Sequence, residues 1–333
     1  MIMQRAEESM NRHEFLRTMA ASAASILVPR WSLGDQEAEF KTYIYKSAGG
    51  CEVKLDAYGS HARVRKPVIV WIHGGALIMQ SRKNPPKWLD PQGDHVVISI
   101  DYRLAPETKL PAVIEDLQDA FRWVHTQGLR LLNIDVENLV VAGGSAGGYL
   151  TLMTGFCVTP RPRALISLSG YGGIVGSWYT KPSPFYLQQP RVSKKDAYAS
   201  VGTACVSEPP ENNHRGQFYL YCRQNGIWPK EVTGRDPGAD PKWFNRYCPV
   251  LNVSAQYPPT VLIHGTADTD VPYEEAVNMD KALSRFKVAH NFITAPGGGH
   301  GLRGVSENEK ARVYEEALGF VKEHTRQRVS TQS

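Results

Sequence analysis

The stretch Gly143-Gly144-Ser145-Ala146-Gly147-Gly148 sets a serine among small residues, directly after the β-branched run Leu139 to Ala142 and just before an apolar helical stretch from Tyr149 to Phe156. A strand that turns sharply into a helix strains the backbone at the turn, and only small neighbours leave room for that strain. The serine hydroxyl is thereby thrust out at the sheet edge, where an acyl-transfer nucleophile has to stand. Upstream, His73-Gly74-Gly75-Ala76 follows another apolar run, Pro67 to Ile72. Small residues there let backbone N–H groups approach a substrate oxygen closely, and such donors stabilise a developing oxyanion by about 3 kcal/mol each. Nucleophile and donors together describe acyl transfer through a tetrahedral intermediate.

These residues resemble the α/β-hydrolase carboxylesterases of the hormone-sensitive-lipase type. The likeness rests on His73-Gly74-Gly75-Ala76 for the family's His-Gly-Gly-Gly loop, Asp101-Tyr102-Arg103-Leu104-Ala105-Pro106-Glu107 after the next strand, and the Ser145 turn for its nucleophile elbow, and it covers about residues 65 to 325. Two positions depart from the pattern: Ala76 stands for the last glycine of the loop, and Gly144 for the acidic residue usual before the serine. Alanine still presents an N–H, so Ala76 alters fit more than chemistry, while Gly144 bears on how the elbow is anchored. The resemblance implies that the N–H groups of Gly75, Ala76 and Ala146 form the oxyanion hole.

In this fold the acid and then the histidine follow the serine along the chain. Gly265-Thr266-Ala267-Asp268-Thr269-Asp270-Val271-Pro272 comes directly after the run Thr260 to His264, at the C-terminal end of a strand, where open α/β sheets build their sites. The resemblance assigns the acid to Asp268. Asp270 is the rival, but Val271-Pro272 and Glu274-Glu275 after it suit a helix N-cap. Of the histidines beyond Asp268, His290 opens a strand and His324 lies on a charged helix; His300 sits in Pro296-Gly297-Gly298-Gly299-His300-Gly301-Leu302, where glycines leave it free to reach acid and serine. Ser145, His300 and Asp268 are the expected nucleophile, base and acid.

Elements to position these groups are visible as apolar runs: Pro67–Ile72, His95–Ile100, Asn138–Ala142, Ala164–Leu168, Thr260–His264 and Asn291–Thr294, read as buried, mainly parallel strands. Between them Pro111 to Gln127 has Val113, Ile114, Leu117, Phe121 and Val124 on one face with Gly128 as the expected stop, and Ser306 to Arg326 reads as a last helix. Strand and helix alternate as in an open α/β sheet. The expectation is an α/β-hydrolase fold, a mainly parallel central sheet with helices on both faces, over residues 37–333. From about Gly170 to Tyr257 the alternation fails while aromatics accumulate, which predicts a cap insertion over the substrate pocket.

His73 reads as a structural hydrogen-bonder, and Arg103 and Glu107 as folding-level polar contacts. No metal or cofactor is expected, because paired histidine ligands, Cys-x-x-Cys and phosphate-binding glycine fingerprints are missing from the sequence. Lys+Arg 38 against Asp+Glu 33 leaves a net charge of +5 without a long basic run, which speaks against nucleic acid as a partner. The five cysteines read mostly as small buried hydrophobes, with one bridge within Cys205, Cys222 and Cys248 if the protein is exported.

Residues 1–36 form a signal-like segment: Asn11-Arg12-His13-Glu14-Phe15-Leu16-Arg17 resembles a twin-arginine export signal with His13 in place of the second arginine, and the small-apolar run to Val28 is too short to span a bilayer. Export is the expectation, with a cytoplasmic location as the alternative. The function expected is a serine carboxylester hydrolase acting on a small-molecule ester of small to medium acyl length, such as an acetyl or feruloyl group on a carbohydrate if the protein is exported. A peptidase or amidase of the same fold and a catalytically silent binding protein are the alternatives; oligomeric state is not readable.

Overall fold

The computed structural model describes residues 40–60, 64–90 and 92–325; the signal-like segment 1–36 lies outside them. Eight strands form one sheet in the order β1-β2-β4-β3-β5-β6-β7-β8. They are β1 (Phe40–Ala48), β2 (Cys51–Tyr58), β3 (Lys66–Ile72), β4 (Val96–Ile100), β5 (Ile134–Gly144), β6 (Ala164–Leu168), β7 (Thr260–Gly265) and β8 (His290–Ala295). From β4 to β8 every neighbouring pair is parallel, whereas β1 and β2 add an antiparallel hairpin at one edge. That hairpin escaped the sequence pattern because an edge strand half open to water, as β1 is, carries no continuous apolar run.

The inner strands are apolar throughout because both faces are covered. Along β3, Val68, Val70 and Ile72 join one core cluster while Ile69 and Trp71 join the other, the alternation that a pleated strand imposes. Five longer helices accompany the sheet: α1 (Leu110–Trp123), α2 (Ala146–Cys157), α3 (Arg215–Asn225), α4 (Tyr273–Arg285) and α5 (Glu307–Thr325). Buried residues of α1 to α4 pack into the first cluster, and Val313, Ala317 and Val321 of α5 seal the second.

Gly128 does not stop the first helix. The chain continues from α1 through a π-type turn, Val124–Gly128, and one more short helix to Leu132, before Asn133 turns it at φ 50°. Gly128 keeps helical angles, and its lack of a side chain makes room for Trp123, whose ring would lie 3.2 Å from a Cβ there. Packing against a neighbouring indole, rather than capping, explains this glycine.

The segment from about 170 to 257 folds as short helices around α3, and its rings stack on one another, Tyr179 on Trp228 at 4.0 Å and Trp178 on Tyr179 at 3.6 Å, and on the body, Tyr171 on Tyr149 of α2 at 4.9 Å. These rings belong to the same cluster as the sheet face below them, with no boundary between insertion and body.

The cysteine pairing differs from expectation. Cys205 is joined to Cys51, at the start of β2, while Cys222 and Cys248 are free and buried. Since Cys51 lies 154 residues away in sequence, a long-range contact made by folding sets the partner.

Candidate active site

β5 ends at Gly144 and α2 begins at Ala146, so Ser145 alone makes the turn, at φ 56° and ψ −121°. A non-glycine residue at such angles is strained, and strain of this kind persists only where the surroundings dictate it. Here they do: the Ser145 N–H donates to the Leu168 carbonyl at the end of β6 (2.8 Å), and a Cβ on Gly147 would run into the carbonyl oxygens of Ile72 and His73. Close approach of the end of β3 to the first turn of α2 therefore explains the glycine two residues after the serine. A Cβ on Gly74 would lie 3.3 Å from Cβ of Ser145, so the His73-Gly74-Gly75-Ala76 loop stands directly against the elbow.

Asp268 and His300 meet. The Asp268 Oδ2 accepts from His300 Nδ1 at 2.8 Å and lies 3.3 Å from His264 Nε2, while its Oδ1 accepts from the amides of Asp270 and Val271, both at 2.9 Å. Burial alone would raise this carboxyl, but the charge of His300 and the hydrogen bonds of both histidines outweigh it and hold it well below the carboxylate range. For His300, burial pulls the imidazole down; the Asp268 carboxylate, helped by Asp270, overcomes it and raises the histidine above its ordinary value. The Gly301 amide donates to Ser169 Oγ at 3.1 Å, which ties the histidine loop to the end of β6.

Asp270 is not a helix cap. Pro272 occupies the position before α4, and the Asp270 carboxylate turns instead to Arg223 and Tyr219 of α3, each at 2.5 Å. Its second oxygen lies 3.7 Å from His300 Nε2.

The loop expected to carry the oxyanion donors adopts left-handed backbone at Gly75 (φ 83°), Ala76 (φ 56°) and Leu77 (φ 63°). The Gly75 carbonyl accepts from the amides of Ile78 and Met79, and among the described residues the amides of Gly75 and Ala76 take no backbone acceptor. Ala146, as the first residue of α2, carries one of the first-turn N–H groups that lack an intrahelical partner. Three side chains fasten the loop. The Tyr102 hydroxyl reaches the carbonyls of His73 (3.0 Å) and Gly74 (2.8 Å), the Trp228 indole donates to the Ala76 carbonyl (3.0 Å), and the Arg215 Nε donates to the Ile78 carbonyl (2.5 Å). His73 stacks on Tyr102 at 4.2 Å and is buried, which drives its pKa down to about 3 and keeps it neutral.

The motif from Asp101 to Glu107 thus acts as scaffolding. Asp101 accepts from the amide and guanidinium of Arg82, both at 2.6 Å; Arg103 grips Asp116; Glu107 pairs with Arg215 at 2.6 Å. Sequence reasoning placed Arg103 and Glu107 in such contacts but missed Arg215, Arg223, Tyr219 and Ser169, because the partners of a buried charge lie far away along the chain. Trp228 is fully buried behind the His73-Gly74-Gly75-Ala76 loop, to which its indole is bonded.

A family model described as alpha/beta hydrolase fold matches residues 69–303. The chain belongs to the alpha/beta hydrolase family. Among its relatives, the non-reducing polyketide synthase ascC of Acremonium egyptiacum is 27% identical over 345 residues, covering 87% of this chain but 15% of the synthase. Esterase LipC of Mycobacterium tuberculosis is 27% identical over 246 residues, 71% of this chain and 53% of LipC. The chain thus spans about half the length of LipC and about a seventh of the synthase. Solved structures share the hydrolase fold: a Staphylococcus aureus protein of unknown function has a TM-score of 0.69 at 21% identity, covering 86% of this chain and 99% of its own. The esterase of Pyrobaculum calidifontis has 0.62 at 21% identity, covering 97% and 96%. Among the described residues no helix of this alpha/beta hydrolase family member is long and apolar enough to cross a membrane.

Proposed function

We propose that this alpha/beta hydrolase is a serine carboxylester hydrolase acting on small to medium acyl esters. The observation that carries the reading is the buried Asp268 carboxylate at 2.8 Å from His300 Nδ1, in a chain whose Ser145 is the strained residue between strand and helix. Likeness to LipC supports the same chemistry.

Asp268 fixes His300 as the tautomer with its proton on Nδ1, which leaves Nε2 as the base. As Ser145 Oγ attacks the ester carbon, its proton passes to Nε2, and the carbonyl electron pair moves onto oxygen, where the Gly75, Ala76 and Ala146 amides receive it. Collapse of this tetrahedral species breaks the bond to the alcohol oxygen, which takes the proton from Nε2. Water then attacks the acyl-enzyme, gives a proton to His300, and the second collapse returns it to Ser145 Oγ with release of the carboxylic acid. The segment 170–257, whose rings pack behind the oxyanion loop, is the cap that bounds the acyl pocket in this proposal. Export remains the proposed location; the Cys51–Cys205 bridge supports an oxidising compartment.

The test is hydrolysis of p-nitrophenyl acetate, butyrate and octanoate by wild type and Ser145→Ala. Turnover in wild type should fall by about 10⁴-fold in the variant. Activity surviving in Ser145→Ala overturns the nucleophile assignment, and a folded wild type inert on all three esters turns the proposal toward amide hydrolysis or binding.

A further inference from the structure

His300 has a carboxylate at each end of its ring. Nδ1 is committed to Asp268; Nε2, the atom that exchanges the proton in the proposed reaction, faces Asp270 Oδ2 at 3.7 Å. That is too long for a hydrogen bond and short enough for a strong charge interaction. Asp270 cannot close the gap, because its other oxygen is held by the Tyr219 hydroxyl and by Arg223 Nη1, and Arg223 Nη2 also donates to the Asp270 carbonyl at 3.1 Å.

Arg223 is an unusual anchor. It is 2% exposed, walled by the rings of Trp178, Tyr179, Tyr186 and Tyr219 at 4.8 to 5.6 Å, and its Nε has no hydrogen-bond partner among the described residues. Taking a guanidinium out of water to this degree costs several kcal/mol, offset by the carboxylate it meets and by the ring faces. A stabilising role alone would be better served by an apolar side chain. What this cation does at its place in the fold is pin one carboxylate beside the reacting nitrogen of His300 and partly neutralise it, so that the carboxylate attracts Nε2 without capturing it from Ser145.

We propose that Asp270 is a positioning residue for His300: fixed and moderated by Arg223 and Tyr219 of the aromatic insertion, its carboxylate favours the imidazolium that forms while the tetrahedral species stands. This rests on the Ser145, His300 and Asp268 reading above. The charged and titratable groups around the pair come from every side: Asp268 after β7, His264 on β7 behind it, Arg303 on the histidine's own loop, Arg223 and Tyr219 on α3, and Tyr179 and Tyr186 on the short helices beneath. Glu275 of α4 is engaged elsewhere, with the Gly173 amide and the Trp178 indole.

The experiment follows the His300 ring by NMR titration in the full chain, assigned with His300→Gln, in wild type, Asp270→Asn and Arg223→Gln, beside pH profiles of kcat/KM on p-nitrophenyl butyrate. Asp270→Asn keeps shape and the acceptor for Tyr219, so it should fold; it is expected to lower the His300 midpoint by about 1 pH unit, to move the acid limb of the profile down with it, and to reduce the plateau about three- to tenfold. Arg223→Gln unmasks the carboxylate and should move the midpoint the other way; should that variant not fold, Asp270→Asn decides alone. Loss of packing would not shift the two variants in opposite directions. Ester turnover in wild type with an unmoved midpoint in Asp270→Asn overturns this inference and leaves the hydrolase standing. A moved midpoint in a chain that hydrolyses no ester keeps the coupling and removes the reaction.

Discussion

Asp268 shows how one carboxylate can be made to stay ionised out of water. Three donors converge on its two oxygens, two amides of its own turn and His300 Nδ1, and His264 Nε2, bonded to the Val271 carbonyl, lies 3.3 Å away. Replacement by Asn removes the charge that holds His300 in its working tautomer, and kcat at neutral pH is expected to fall by about 10³- to 10⁴-fold with a far smaller change in KM, measured on p-nitrophenyl butyrate. The same pair carries a pH signature. The His300 pKa is raised, so its contribution to stability is complete below about pH 6.5 and fades as pH climbs through the folded-state value; the Asp268 pKa is lowered, so its contribution is complete above about pH 3.9 and fades as pH drops through the folded-state value. The difference in Tm between wild type and Asp268→Asn should therefore be widest between about pH 4 and 6.5, and a difference flat across pH would remove the ion-pair account. Ser145 and His300 could be singled out in sequence because glycines crowd around them; His264 could not, since nothing near it in sequence says that it will reach the acid four residues on.

The element that decides the site is the turn from β5 to α2. Its fit is backbone against backbone: Gly147 passes the end of β3 so closely that a methyl group has no place to go. Gly147→Ala is expected to cost about 3 kcal/mol of stability, read as a lowered midpoint in urea, or to prevent folding outright. Gly297, in the loop that carries His300, has open space where its Cβ would stand, though its φ of 68° still favours glycine. Two glycines that look alike in sequence thus serve different ends, one for contact and one for conformation. The β5–α2 turn was legible because strand, small residues and helix follow one another without a break, whereas the path of the first helix through Gly128 was not, since a glycine that makes room for Trp123 looks the same as a glycine that ends a helix.

At the scale of the molecule, the segment 170–257 is fastened to the body by buried ion pairs, by the Trp228 bond to the Ala76 carbonyl, and by the Cys51–Cys205 bridge to β2. A cross-link spanning 154 residues removes conformational freedom mainly from the unfolded chain. Reduction, or Cys51→Ser, should lower stability by about 5 kcal/mol on that entropic account, seen as a fall in Tm with dithiothreitol that is absent in the variant. A Tm indifferent to reductant would mean the insertion is held by its packing alone.

Period and composition were enough for the alternation of buried strands and helices, because a strand covered on both faces must be apolar throughout and a helix covered on one side must repeat its apolar residues. The glycine-set motifs and the family resemblance, not period or composition, singled out the strand ends proposed to carry acyl chemistry. Nothing local could foretell that Asp270 would leave its helix and face His300, that Arg223 would hold it there, or that Cys205 would find Cys51. Those are contacts between segments tens of residues apart, chosen by how the insertion docks on the sheet, and a buried charge or thiol takes its partner from whatever the folded chain brings alongside it.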